Sequence, residues 1–191
     1  MPFTLLYLVG ICAFVMLLGR MRSRTQPNSI IDRRESLANG TASFMAFFGN
    51  ELVPLIYIFT PRLDFANYAL PLSARMAGSL LLLLAILLMA TGQATLGLNW
   101  SATLEVREEQ QLVTKGIYRY IRHPIYASQW LWGIAQLLML PNWVAGPLGL
   151  LCFLPVYLVR IPREEQMMLE HFGEAYETYM QRTGRVLPRL R

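Results

Sequence analysis

The chain has 191 residues, of which 54% are hydrophobic and 15% charged, with a net charge of +5. A soluble domain of this size carries about a quarter charged residues, and the charges here cluster between long apolar stretches, so composition argues against a soluble domain and for a polytopic membrane protein. Nucleic acid is excluded as the reason for the positive balance, because the basic residues sit beside apolar spans, where the positive-inside rule and anionic headgroups account for them.

The first span runs from about Pro2 to Gly19 and is basic only at its far end (Arg20, Arg22, Arg24), the reverse of a signal peptide, so it reads as a retained helix. A second span covers roughly Thr41 to Thr60. Its Glu51 should face the bundle or a wet cavity, bonded to Asn50 or a backbone carbonyl, and its Pro54 should bend the helix. Pro61 to Leu72 reads as a short loop. The third span begins near Leu72, is centred on SLLLLLAILLMA, and stops near Asn99. Asn99-Trp100-Ser101 reads as a helix stop with an interfacial tryptophan, or else as a wall of a pocket. The polar stretch LEVREEQQLVTKG predicts a short hairpin with a charged turn.

The fourth span covers about Pro124 to Leu140 and the fifth about Trp143 to Val159, joined at Pro141-Asn142 as a helical hairpin. In the tail, Met167, Met168, Phe172, Tyr176 and Tyr179 recur at helical spacing, which predicts an amphipathic helix against the membrane or capping the bundle. The expected fold is therefore an all-α integral membrane protein of about five transmembrane helices, with a hairpin of spans four and five and a C-terminal amphipathic helix. Five spans put fifteen of the 17 basic residues on one side and leave Arg62 and Arg75 on the other. The rule then places the C-terminus in the cytoplasm and the N-terminus opposite.

Two constellations stand out. GIYRYIRHPIY brings Tyr118, Arg122, His123, Pro124 and Tyr126 to the mouth of the fourth span. A helix starting at Pro124 offers free N–H groups and a positive dipole end to an anionic group. The alternative is an interfacial aromatic and basic belt. The second is Arg160, Glu164 and Glu165 after the fifth span. Arg160 and Glu164 are four apart and share a helix face. They form either a surface ion pair or a guanidinium that grips a carboxylate bidentately, with the glutamates holding a cationic group. Pro162 is expected to break the helix there. Cys12 and Cys152 lie in apolar runs without paired spacing, so neither a disulfide framework nor a metal site is read. The two histidines, His123 and His171, are too few for zinc. Rossmann, Walker and nucleophile-elbow signatures are absent.

GIYRYIRHPIY, followed at a distance by Arg160-x3-Glu-Glu and HFGEAYETY, resembles the isoprenylcysteine carboxyl methyltransferase family, whose wider group includes membrane phospholipid methyltransferases. The resemblance runs from about Leu96 to Pro188, and the chain looks like a short prokaryotic-type member. It implies N-terminal transmembrane helices over residues 1–95 and a methyltransferase-like, cofactor-binding region with the hairpin over residues 96–191, in one structural unit. It also implies S-adenosylmethionine as cofactor, with S-adenosylhomocysteine as product. By motif, the cofactor should lie among Gln111, Leu112, Val113, Tyr118, His123, Tyr126 and Glu164, with Glu165 a weaker member of the set. Arg160 should hold the substrate carboxylate, and Arg160 and Glu164 should carry the chemistry. The substrate would be an isoprenylated cysteine or another lipophilic acid drawn from the bilayer. A phospholipid N-methyltransferase, a reductase of the related sterol-reductase architecture, and a non-catalytic membrane binding or scaffold protein are the alternatives.

Overall fold

Long apolar runs become the long helices. The computed structural model describes residues 2–22, 30–34, 36–100, 105–107 and 110–189. Helix α1 spans Pro2–Arg22, α2 Leu37–Phe47, α3 Val53–Phe59, α4 Leu72–Leu96, α5 Pro124–Met139, α6 Leu148–Pro155, α7 Ile161–Phe172 and α8 Glu174–Arg182. Among the described residues, three helical stretches are long and apolar enough to cross a membrane: Pro2–Arg20, Leu37–Phe59 and Leu72–Asn99. The protein is an integral membrane protein.

Two prolines, Pro54 and Pro162, are absorbed by wide helical turns. A π-helical turn at Phe48–Leu52 joins α2 to α3, and a second at Val156–Arg160 joins α6 to α7. Each ends two residues before a proline, Pro54 or Pro162. A proline offers no N–H to the carbonyl four residues back, and the wide turn takes up the strain. At Pro54 the freed carbonyl is that of Asn50, and the Tyr7 hydroxyl lies 2.8 Å from it. The expected break at Pro162 is thus corrected: helix continues from Leu148 through to Phe172.

Three further expectations change. The fifth apolar helix starts at Leu148, not Trp143, because residues 141–147 turn back to dock on the loop after α3. There Asn142 donates to Leu63 O (2.6 Å) and Asn67 Oδ1 (2.9 Å), and its own Oδ1 caps Val144 N and Ala145 N. The hairpin within 104–116 does not form as drawn. Strand β2 (Glu105–Arg107) pairs antiparallel with β1 (Ile30–Arg33) in the loop after α1, and the expected turn residues Glu108 and Glu109 lie outside the described residues. The tail helix is two helices, α7 and α8, separated at Gly173, whose φ of +53° suits a residue without Cβ.

The most extensive helix pairing is α4 with α5. Gly78 allows the approach, because a Cβ there would stand 2.8 Å from Met139 Cγ and 2.9 Å from Leu138 Cβ. Close backbone approach is how membrane helices gain contact without a hydrophobic drive. A buried polar knot ties α1, the α2–α3 turn, α5 and the start of α6. Trp132 Nε1 donates to the Tyr7 hydroxyl at 2.9 Å, which lies 2.7 Å from Gln136 Oε1. Gln136 Nε2 in turn donates to Gly49 O and Ala145 O. In hydrocarbon such groups must find partners within the protein, so the knot fixes the bundle that carries the site.

Candidate active site

At one end of this bundle, three segments distant in sequence meet. The strand-like run Ile121–His123 carries the first ligand-type side chains, and it is held from behind by the chain's tail. Arg122 N donates to Gly184 O (2.8 Å) and His123 N to Arg185 O (2.9 Å). Tyr179 Oη donates to Tyr118 O at 2.7 Å. Helix α5 starts at Pro124 as expected, and its first turn contributes Ile125 and Tyr126 to the site wall.

Glu165 anchors this arrangement. It is 4% exposed. Arg122 Nε and Nη2 both donate to its Oε1 at 3.1 Å, His123 Nε2 stands 3.2 Å from the same oxygen, and Arg185 Nη2 donates to Oε2 at 2.5 Å. Burial by itself raises the Glu165 carboxyl, but the His123 and Arg185 hydrogen bonds and the Arg122 charge outweigh it and hold it at about 2. Arg122 is further held by Met180 O and Thr183 O. Glu165 is not among the residues lining the cavity next to it. Its surroundings make it the clamp that positions Arg122 and His123.

Glu164, its neighbour, points the other way. Tyr126 Oη donates to Glu164 Oε2 at 2.7 Å, and His123 Nδ1 lies 3.8 Å from Glu164 Oε1. Arg160, at the end of the second π-helical turn, reaches the same Tyr126 phenol. His123 and Glu164, 41 positions apart, therefore share one wall. Beside them, burial and then the Glu164 charge push the Tyr118 phenol well up, so it stays a neutral donor at physiological pH.

These groups line a cavity of about 480 Å³, within the range of small-molecule sites. Gln111, Leu112, Val113, Tyr118, His123, Tyr126, Arg160 and Glu164 all line it. Asn99 orients the first of these, since Gln111 N donates to Asn99 Oδ1 at 2.9 Å. Trp100 lines the cavity as well, whereas Ser101 lies outside the described residues. Glu105, Gln110, Met167, Tyr176 and Tyr179 also contribute to the wall and were not foreseen. The aromatic spacing of the tail had marked Tyr176 and Tyr179 as an apolar face, but pattern alone does not say what that face covers. The cavity continues between the spans to Phe14, Phe47, Met89 and Ile125. It is charged where the helices end and largely apolar where they cross, with Asn50, Glu51 and Gln129 as polar exceptions.

The cavity joins ionic groups to space lined by apolar side chains of the membrane-spanning helices. Comparison with known proteins points to one family. Residues 77–170 match the model of the isoprenylcysteine carboxyl methyltransferase family. A protein-S-isoprenylcysteine O-methyltransferase B of Arabidopsis thaliana is 31% identical over 117 residues, covering 58% of this chain and 57% of that one. A protein-S-isoprenylcysteine O-methyltransferase of Rattus norvegicus is 31% identical over 114 residues, covering 59% and 40%. The solved structure of the eukaryotic intramembrane Ras methyltransferase of this family aligns with a TM-score of 0.56 at 26% identity, over 81% of this chain and 53% of that one. The chain spans about half the length of the curated relatives it matches.

Proposed function

We propose that this protein is an S-adenosylmethionine-dependent carboxyl methyltransferase of the membrane, methyl-esterifying an isoprenylated cysteine or another lipophilic acid. One observation carries the reading: a single cavity runs from Arg160, Glu164 and His123 down to Phe14 and Met89 within the spans. A charged donor from the cytosol and an acid held by a lipid tail can meet only in such a place. Each buried methylene of the tail contributes about 0.8 kcal/mol to its residence there.

The donor set suits a cationic, amino-bearing nucleoside. Glu164 supplies a carboxylate on the cavity wall whose side chain is 31% exposed, Tyr118 and Tyr126 supply flat walls, and Gln111–Val113 offer backbone edge groups. When bound, the donor supplies an electrophilic sulfonium methyl. The chain's own work is alignment and exclusion of water. A carboxylate is already ionised at neutral pH, so no general base is required. Arg160 orients the acid through a planar fork that matches two carboxylate oxygens. Glu164, fixed by the Tyr126 hydroxyl, holds the donor's positive end.

In this reading α5 and the α6–Arg160 segment are the fourth and fifth spans. They are short, about 24 Å and 20 Å by helical rise, against a hydrocarbon core of about 30 Å. The cytosolic face carries the C-terminus and the site. Titration of purified protein with S-adenosylhomocysteine by calorimetry tests the proposal. Micromolar binding that is lost in Glu164→Ala is expected, and no heat at millimolar ligand contradicts it.

A further inference from the structure

The deep part of the cavity is not uniformly apolar. Along α2 and the turn that follows, Ser43, Ala46, Phe47, Asn50 and Glu51 line it, at the three- and four-residue steps of one helix face. From α5, Gln129 lines it as well. Arg163 Nη1 donates to Asn39 Oδ1 at 3.3 Å, which fixes Asn39 near the charged end of the site. Glu51 lies twelve residues further along this helix, roughly 18 Å deeper by helical rise. Gln129 lies six residues beyond His123, roughly 9 Å deeper. Neither Glu51 nor Gln129 has a hydrogen-bond or ion-pair partner among the described residues. Asn50 Nδ2 donates to Ala46 O, not to Glu51, so the expected Glu51–Asn50 bond does not form.

A carboxyl and an amide facing a plain hydrocarbon tail would each lose water without gaining a partner, which opposes binding of that tail. The same two groups favour a tail that carries oxygen. A hydroxyl can donate to Glu51 if the carboxyl is ionised and accept from it if not, and Gln129 can do both. Resting on the methyltransferase reading given above, we propose that Glu51 and Gln129 are specificity-determining residues, and that the acceptor acid carries a hydrogen-bonding oxygen function in the part of its tail that lies within the membrane.

The test compares N-acetyl-S-farnesyl-cysteine with the same acid bearing a hydroxyl on the distal half of its chain. Binding of each to the full-length protein in detergent is measured by calorimetry, and methyl transfer from S-adenosylmethionine is measured in parallel. Wild type is expected to bind the hydroxylated acid at least tenfold more tightly. Glu51→Leu and Gln129→Leu are expected to abolish or reverse that preference, while Glu51→Gln retains most of it. Equal or tighter binding of the hydrocarbon acid by wild type overturns the proposal, as does an unchanged preference in both leucine variants. If Glu51→Leu fails to fold, Gln129→Leu and the wild-type comparison decide. A preference that behaves as expected without methyl transfer to either acid supports the tail site and contradicts the enzymatic reading, so the two fail separately. Failure of both acids to bind overturns both.

Discussion

At the residue scale, Glu164 and Glu165 are adjacent in sequence and opposite in role. Glu164 lines the cavity, whereas Glu165 closes a buried network with Arg122, His123 and Arg185. Arg160→Ala and Glu164→Ala are each expected to lower methyl transfer at least a hundredfold in a radiolabel assay, with unchanged melting in detergent. Arg160→Lys should recover little, because an ammonium cannot replace the two-pronged fork. Glu165→Gln should instead unfold the tail. Removing one partner from a buried charge network costs about 3–5 kcal/mol. The acid dependence follows from the sign of the shift. The folded Glu165 carboxyl lies at about 2, below its ordinary 4.5. Its stabilisation is therefore complete above about pH 4.5 and is lost as pH falls from there toward 2, roughly 3 kcal/mol in all. Melting curves of wild type should fall through that window more steeply than those of Glu165→Gln, and parallel curves would refute the assignment. The paired glutamates were legible as a motif. Which one faces the cavity was not, because adjacent helix positions differ by about 100° and the fold alone sets the reference direction.

At the scale of elements, the apolar runs defined α1, the α2–α3 unit and α4 to within about four residues at each end, since length and hydropathy leave few alternatives in a membrane. Less visible were the two π-helical turns, at Phe48–Leu52 and Val156–Arg160, which carry Glu51 and Arg160 to the cavity wall. Their sequence signal was Pro54 and Pro162, which a local rule reads as bends or breaks. The pairing of β1 with β2 was unreadable because it joins loops more than seventy positions apart. The strap formed by Gly184 and Arg185 against Ile121–His123 left no periodic trace. One element-scale prediction tests the packing of α6 on the polar knot. A Cβ on Gly149 would stand 2.4 Å from Gln136 Oε1 and 2.9 Å from Asn50 Oδ1. Gly149→Ala should therefore cost about 1–3 kcal/mol, read as a lower melting temperature and lower activity after heating. Unchanged melting would show that α6 does not seat on this knot.

For the whole molecule, methyl transfer requires the charged mouth of the cavity to open toward the cytosolic donor and its largely apolar depth to receive a lipid. Orientation is directly testable. With Cys12 and Cys152 replaced by serine, a membrane-impermeant maleimide should label Glu177→Cys only in inverted vesicles and Asp64→Cys only in right-side-out ones; the reverse pattern would invert the proposed topology. Charge asymmetry is what argues for that arrangement, because Arg62 and Arg75 are the only basic residues assigned to the far side. The central claim is tested most directly by presenting inverted vesicles that contain the protein with radiolabelled S-adenosylmethionine and a lipid-tailed cysteine acid. Wild type should yield base-labile methyl ester on the acid, and vesicles bearing Arg160→Ala should not. Ester formation at the same rate in both, or none in wild type that binds both ligands, would contradict the account.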